Sequence, residues 1–207
     1  MSTLQPARPI IIVTIGYPGA GKSFFARQFA ETFHAPLISF DEIRYELFNE
    51  ISHSIDEDII VARVAGLQLR ELIKTKRTLI IDGGHNPKVS RIELTKLAKD
   101  SGYAVLYVWV QTDERTSRIR SLKRSPGRDM DNYNRSLSTD EFEHQFRKFT
   151  EPSDNEPFVV ISGRHTYATQ ARIALKRLAN NHETPRKEPP SRTPQAGSIT
   201  RRPISIN

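Results

Sequence analysis

Eight consecutive residues constrain this chain more than any others: Gly16-Tyr17-Pro18-Gly19-Ala20-Gly21-Lys22-Ser23. They fit G-x-x-x-x-G-K-[ST], the spacing of a phosphate-binding loop. The run before them, Ile10–Ile15, reads as a buried strand, and Lys22–Phe33 reads as a helix. A strand, a glycine turn and a helix start are what a triphosphate cradle requires. Glycines let backbone N–H groups converge on phosphate oxygens with no Cβ in the way. In such a cradle Gly16, Gly19, Ala20, Gly21, Lys22 and Ser23 hold the nucleotide. Lys22 reaches the β- and γ-phosphates and the Ser23 hydroxyl ligates Mg²⁺, so the expected ligands are ATP and Mg²⁺. With glycine near 7% of residues, the four fixed positions arise by chance in about one chain in a hundred of this length.

The rest of the chain suits that loop. Apolar strand-length runs alternate with helical patterns, which indicates an α/β fold with a parallel sheet. Strands are expected at Ile10–Ile15, Pro36–Ser39, Thr78–Asp82, Tyr103–Gln111 and Phe158–Ser162. Helices are expected at Lys22–Phe33, Asp41–Asn49, Glu57–Lys74, Pro87–Ser101, Asp113–Lys123, Thr139–Phe149 and Thr166–Asn180. In Glu57–Lys74 the residues Ile59, Ile60, Val64, Leu67, Leu69, Leu72 and Ile73 suggest a broad apolar stripe. Arg124–Arg135 is polar, contains Pro126 and Gly127, and reads as a mobile loop. From His182 the chain is rich in Pro, Ser, Thr and Arg without hydrophobic period. That reads as a disordered basic tail, residues 182–207, behind one domain, residues 1–181; the tail is either a partner tether or a solvated end.

Composition narrows the class. The 207 residues contain no cysteine, which excludes disulfides and thiolate metal sites and suits a cytoplasmic location. No apolar run is long enough to span a membrane, and residues 1–8 lack a signal-peptide core. The net charge of +7 suits a polyanionic partner such as a nucleotide or nucleic acid.

Three further constellations carry chemistry. Asp41 and Arg44 follow the second strand, and ligands of open parallel sheets sit beyond the carboxyl ends of strands. A carboxylate there can orient an acceptor hydroxyl and take its proton, and Arg44, on the same helix face, can hold an anionic acceptor. The bland alternative makes Asp41 only the cap of the next helix. Asp82 ends the apolar strand Leu79-Ile80-Ile81, the form of a Walker B element that holds Mg²⁺ with Ser23. His85 and Asn86, just beyond, either touch substrate or stabilise their loop. Arg120 and Arg124 share a helix face and either close over the nucleotide as a lid or form a solvated basic face. Asp56-Glu57-Asp58 and Asp129-Met130-Asp131 follow no apolar strand and read as solvated charge; Trp109 reads as core.

These residues, in this order, resemble the P-loop kinases that include phage-type polynucleotide 5′-hydroxyl kinase and zeta toxin, an AAA-type ATP-binding, kinase-like domain. The resemblance runs through GYPGAGKS, Asp41 with Arg44, Ile80 to Asp82 with Asn86-Pro87 and Arg91, Arg120 with Arg124, and Phe142 to Pro152. It covers residues 8 to about 180. It implies a P-loop NTPase three-layer sandwich, with a five-stranded parallel sheet in order 2-3-1-4-5 and a helical lid. It implies that Asp41 is the general base, that Arg44 helps hold the acceptor, and that the lid arginine is Arg124 with Arg120 beside it. The chain has no room for the phosphatase domain some polynucleotide kinases carry, and the group also contains small-molecule kinases with near-identical motifs. The expected activity is ATP-dependent phosphorylation of a hydroxyl, on a polynucleotide 5′ end or on a nucleoside- or nucleotide-like small molecule. The rival is a nucleotide switch or RNA-binding adaptor that hydrolyses ATP without its own acceptor.

Overall fold

The computed structural model describes residues 8–124, 133 and 135–180. The expectations for the basic tail, for most of the loop after Arg124 and for Asp129-Met130-Asp131 lie outside the described residues. The apolar runs form five strands: β1 (Ile10–Ile15), β2 (Leu37–Ser39), β3 (Leu79–Asp82), β4 (Ala104–Gln111) and β5 (Phe158–Ser162). All are parallel, in the order β2-β3-β1-β4-β5, which is the P-loop NTPase sheet. β1 is central and buried at every position, as a parallel strand covered on both faces must be.

Alternation along the strands divides the core in two. Ile11, Val13, Ile15, Leu79 and Ile81 meet α3 (Ile55–Lys74) and α4 (Lys88–Asp100) on one face. Ile10, Ile12, Ile80 and Leu106 meet α1 (Lys22–Phe33) and α7 (Tyr167–Asn180) on the other. The three layers therefore follow from side-chain parity. Among the described residues no helix is long and apolar enough to cross a membrane.

Register then gathers the loops. Asp82 pairs with Thr14 on one side and with Ser39 on the other. The carboxyl ends of β1, β2 and β3 are level, so the loop at 16–21, the start of α2 (Phe40–Leu47) and Gly83–Asn86 emerge at one edge. Ser39 caps α2, its hydroxyl accepting from Glu42 N at 3.3 Å, so capping does not occupy the Asp41 carboxylate. Beyond β4, α5 (Glu114–Leu122) and α6 (Thr139–Arg147) form a helical pair beside this edge. Arg118 ties them by pairing with Glu143 and lying over the Phe142 ring, 4.7 Å from its centre.

Three details differ from expectation. α3 buries Glu57, Val61, Ala65, Leu69 and Ile73, with Val64 and Leu72 of the expected stripe partly buried against the core, while Ile59, Ile60 and Leu67 face outwards at 45, 43 and 58% exposure. The Asp56-Glu57-Asp58 run is not simply solvated: Asp56 is exposed, but Glu57 is buried and Asp58 is ion-paired. Trp109 is only partly buried, packed between Phe149 and Phe158.

Candidate active site

Gly19 shows why the phosphate loop needs glycine. Its φ is +76°, and a Cβ there would come within 2.2 Å of the Ser117 carbonyl oxygen. The turn leads into α1, whose first residues receive no side-chain cap. Uncapped N–H groups at a helix start, with the positive end of the helix dipole behind them, form an anion site. Lys22 lies across the loop, its Nζ donating to the Tyr17 carbonyl at 2.8 Å. Burial pushes the Lys22 ammonium down to about 8; Asp82 and Asp41 oppose that shift and Arg124 adds to it.

Asp82 is buried and accepts from Thr14 Oγ1 at 2.6 Å and from the Ser23 side chain. Burial raises its pKa, against those two bonds, and the negative charge of Asp41 raises it further. A hydroxyl and a carboxylate in contact below a phosphate cradle suit Mg²⁺, which takes one or two protein oxygens and completes its octahedron with phosphate and water. Among the described residues there is no cluster of three or more His, Cys, Asp or Glu that would build an all-protein metal cage.

Gly19, Gly21, Lys22, Ser23, Asp41, Arg44, Asp82, Arg120 and Arg124 line one cavity of about 760 Å³. Gly16 and Ala20 sit behind it as the buried frame of the loop. Arg120 Nη1 donates to the Gly163 carbonyl at 3.0 Å, which ties α5 to the β5–α7 turn. Arg44 is nearly buried and doubly paired, Nη1 to Glu57 at 2.8 Å and Nη2 to Asp58 at 2.5 Å. Its guanidinium thus fastens α2 to α3 while it lines the cavity. Burial opposes ionisation of Glu57, but bonds from Ser52, Arg44 and His53 pull its carboxyl down to about 2.

Other groups shape the cavity from behind. Asn86 holds the phosphate loop: its Oδ1 accepts from Gly16 N and its Nδ2 donates to Gly16 O, both at 3.0 Å. Behind it Arg91, wholly buried, donates from Nη1 to Asn86 O at 2.7 Å and pairs through Nε with Glu156 at 2.6 Å. His85 donates from Nδ1 to Gly83 O at 3.0 Å and lines a separate hollow between α3 and α4. His85 therefore acts on its own loop, and Asn86 acts on the phosphate loop. Tyr17 stacks on Phe146 of α6 at 4.3 Å between ring centres, locking the phosphate loop to the helical pair. Asn86 and Arg91 are legible in the sequence just after the Asp82 strand; their pairing with Gly16 and Glu156 is not.

A family described as an AAA domain matches residues 11–152 of the 207. Sequence comparison with curated proteins gives no match. Among solved structures, a gluconokinase from Sinorhizobium meliloti 1021 is 18% identical, with a TM-score of 0.62 over 86% of this chain and 96% of its own. The Mycobacterium tuberculosis APS kinase in complex with AMPPNP and APS is 17% identical, with a TM-score of 0.58 over 84% and 99%. Chaetomium thermophilum Kti12 in complex with ADP-AlF3 is 19% identical, with a TM-score of 0.59 over 86% and 100%. These likenesses define the fold.

Proposed function

Given that the chain belongs to the AAA domain family, we propose that it is an ATP-dependent phosphotransferase that moves the γ-phosphoryl group of ATP to a hydroxyl acceptor. The observation that carries this reading is Asp41. Its carboxylate lines the same cavity as Lys22, Ser23 and Asp82, interacts with the charges of Lys22 and Asp82, and is not used as a helix cap. A nucleotide switch needs no acceptor base there. The spacing of Asp41 and Arg44, followed by Arg120 and Arg124, further supports the kinase group that includes polynucleotide 5′-hydroxyl kinase and zeta toxin. Two proteins of like fold are named as kinases, and one of those was solved with AMPPNP.

The residues divide the work as follows. Backbone N–H groups of Gly19, Gly21, Lys22 and Ser23 hold the phosphates, while Gly16 and Ala20, whose N–H groups bond Asn86 Oδ1 and Tyr17 O, shape the loop from behind. Ser23 and Asp82 would hold Mg²⁺, which would supply charge neutralisation for the transferring phosphoryl group. Asp41 accepts the hydroxyl proton as the acceptor oxygen approaches phosphorus in line. Lys22, Arg124 and Arg120 stabilise the charge that spreads over the transferring group. Arg44 is a positioning residue: paired with Glu57 and Asp58, it fixes the wall on which the acceptor rests.

Transfer of label from γ-labelled ATP to a panel of oligonucleotides, nucleosides, sugars and antibiotics tests this reading. Asp41→Asn is expected to lower turnover at least a hundredfold with ATP affinity nearly unchanged, the usual scale for a lost general base. Wild-type turnover in Asp41→Asn, or label released only to water, sinks it.

A further inference from the structure

The cavity is unevenly charged. Lys22 bonds the phosphate loop at Tyr17 O, Arg124 acts on the Lys22 charge, and Arg120 bonds Gly163 O in the turn against that loop. Arg44 and Arg135, which also line the cavity, come with their own counter-charges. Both Nη atoms of Arg44 are taken, by Glu57 and Asp58, and Asp58 also pairs with Lys148 at 2.8 Å. Arg135 Nη2 is bound to Glu141 at 2.5 Å and to the Ile51 carbonyl at 3.0 Å. Bidentate capture of a phosphate or carboxylate needs an open guanidinium fork. Both Nη atoms of Arg44 and Nη2 of Arg135 are engaged, and the buried Nε of Arg135, which has no partner, offers a single donor. An anionic group brought to this end would lose its water and meet Asp41, Glu57 and Glu141, with the charges of Arg44 and Arg135 already balanced by their carboxylate partners.

Within this balanced end stands His53. Among the described residues it is one of three non-glycine residues with positive φ, +53°, a conformation uncommon for a residue with a Cβ. A buried carboxylate enforces it: Glu57 Oε2 accepts from His53 N at 2.8 Å, and Glu57 Oε1 accepts from Ser52 N at 2.8 Å and Ser52 Oγ at 2.6 Å. The same carboxylate holds Arg44. Backbone strain held in place by its surroundings is found where geometry matters to function. His53 lines the cavity, as do the apolar side chains of Ile51 and Leu137. The charges acting on it are two positive, Arg44 and Arg135, and two negative, Asp41 and Glu141. Burial first, then Arg44, keeps the imidazole below its usual value, so at neutral pH it is a neutral ring with one donor and one acceptor.

We propose that this end of the cavity takes an uncharged polyhydroxylated acceptor, and that His53 is the specificity-determining contact, hydrogen-bonding a hydroxyl next to the one that faces Asp41. The inference rests on the phosphotransfer reading above. In the step it serves, a bond forms between the acceptor oxygen and the γ-phosphorus. The bond from that phosphorus to the β,γ-bridging oxygen breaks, its electron pair leaves on ADP, and the hydroxyl proton passes to Asp41.

Two measurements test it. The first uses the full chain, Mg²⁺ and γ-labelled ATP with neutral sugars, cyclitols and nucleosides, each paired with its phosphorylated or carboxylated counterpart, and with 5′-hydroxyl oligonucleotides. Neutral members are expected to lead in kcat/KM by about tenfold or more, the scale of one unpaired buried charge or polar group. A lead for anionic members or oligonucleotides overturns the proposal and leaves the kinase reading intact; no label in any acceptor overturns both. The second uses the best neutral acceptor with His53→Gly, which removes the ring and relieves the backbone. The acceptor KM is expected to rise about tenfold with the ATP KM unchanged, and His53→Asn, which tolerates the left-handed conformation, to recover part of it. An unchanged acceptor KM in His53→Gly overturns the assignment of His53, as does an equal rise in both KM values.

Discussion

Asn86 grips Gly16 by both polar groups of its backbone, accepting from Gly16 N and donating to Gly16 O at 3.0 Å each. The two residues are seventy apart in sequence, on neighbouring strand ends, and the amide sets where the phosphate loop begins. Arg91 supports it from below through the Asn86 carbonyl, and Glu156 and Glu151 O hold Arg91 in turn. Asn86→Ala removes both bonds and leaves buried backbone groups of Gly16 without partners. It is expected to raise the ATP KM about tenfold and to cost roughly 1–3 kcal/mol of stability. Nucleotide titration and denaturant unfolding of the purified variant check this. Wild-type ATP affinity would show that the loop holds its shape without the clamp.

Lys22 gives a pH signature. Its ammonium, pushed down to about 8 by burial, must carry a proton to serve the phosphates. A base with a lowered pKa is fully protonated below that value and loses its charge as pH rises through it. The profile of kcat/KM for ATP reports the free enzyme, so it is expected to fall with rising pH from about 8. The profile of kcat reports the ATP complex, where phosphate charge favours the ammonium, and its limb is expected at higher pH. Lys22→Arg should abolish the limb near 8, because guanidinium does not titrate in this range. A flat wild-type profile to pH 9.5 would refute the assignment.

How much of this was legible in the sequence depended on whether a residue's partners lay close along the chain. β1 and α1 have the bounds expected, because a continuous apolar run and a glycine turn leave little choice. Asp41, Asp82, Lys22 and Ser23 meet in one cavity because each sits at a strand end or in the loop between strand and helix, and parallel order brings those ends to one edge. Glu57 was not legible. Its partners are Arg44, thirteen residues before it, and a turn whose conformation the carboxylate itself dictates. Glu57 also takes a buried position at the start of α3, in line with Val61, Ala65, Leu69 and Ile73, that pattern alone assigns to an aliphatic side chain. Arg91 and Glu156, sixty-five residues apart, are a buried pair of the same kind.

Glu57 predicts how the fold answers acid. Its carboxyl, ordinarily near 4.5, is held at about 2 by Ser52, Arg44 and His53 despite burial. For an acid whose pKa is lowered by folding, the stabilisation is complete above the unfolded value and is lost as pH falls through the folded one. It is therefore expected to fade between about 4.5 and about 2. Glu57→Gln keeps the shape but not the charge. It should be less stable than wild type at pH 7 by roughly 1–3 kcal/mol, with the difference shrinking as pH falls through this window. Unfolding curves collected at several pH values check both statements; a pH-independent difference would mean that the charge of Glu57 contributes nothing.

Gly163 offers a test of how tightly the β5–α7 turn supports the phosphate loop. A Cβ at this position would lie 1.9 Å from the Ala20 carbonyl oxygen and 2.3 Å from Thr112 Oγ1, which itself donates to Ala20 O at 3.1 Å. Neither neighbour is the free end of a flexible chain, since one is backbone of the loop and the other is a short hydroxyl bonded to it. Gly163→Ala must therefore push the turn away from the loop, and with it the carbonyl that accepts from Arg120. The expected outcome is a loss of roughly 1–3 kcal/mol in stability, the usual cost of overpacking, and a rise of about tenfold in the ATP KM. Two positions in the site would then have moved together, so Arg120→Lys in the Gly163→Ala background should cost less than Arg120→Lys alone. A double-mutant cycle on kcat/KM measures that coupling, and strict additivity would show that Arg120 and the turn act independently.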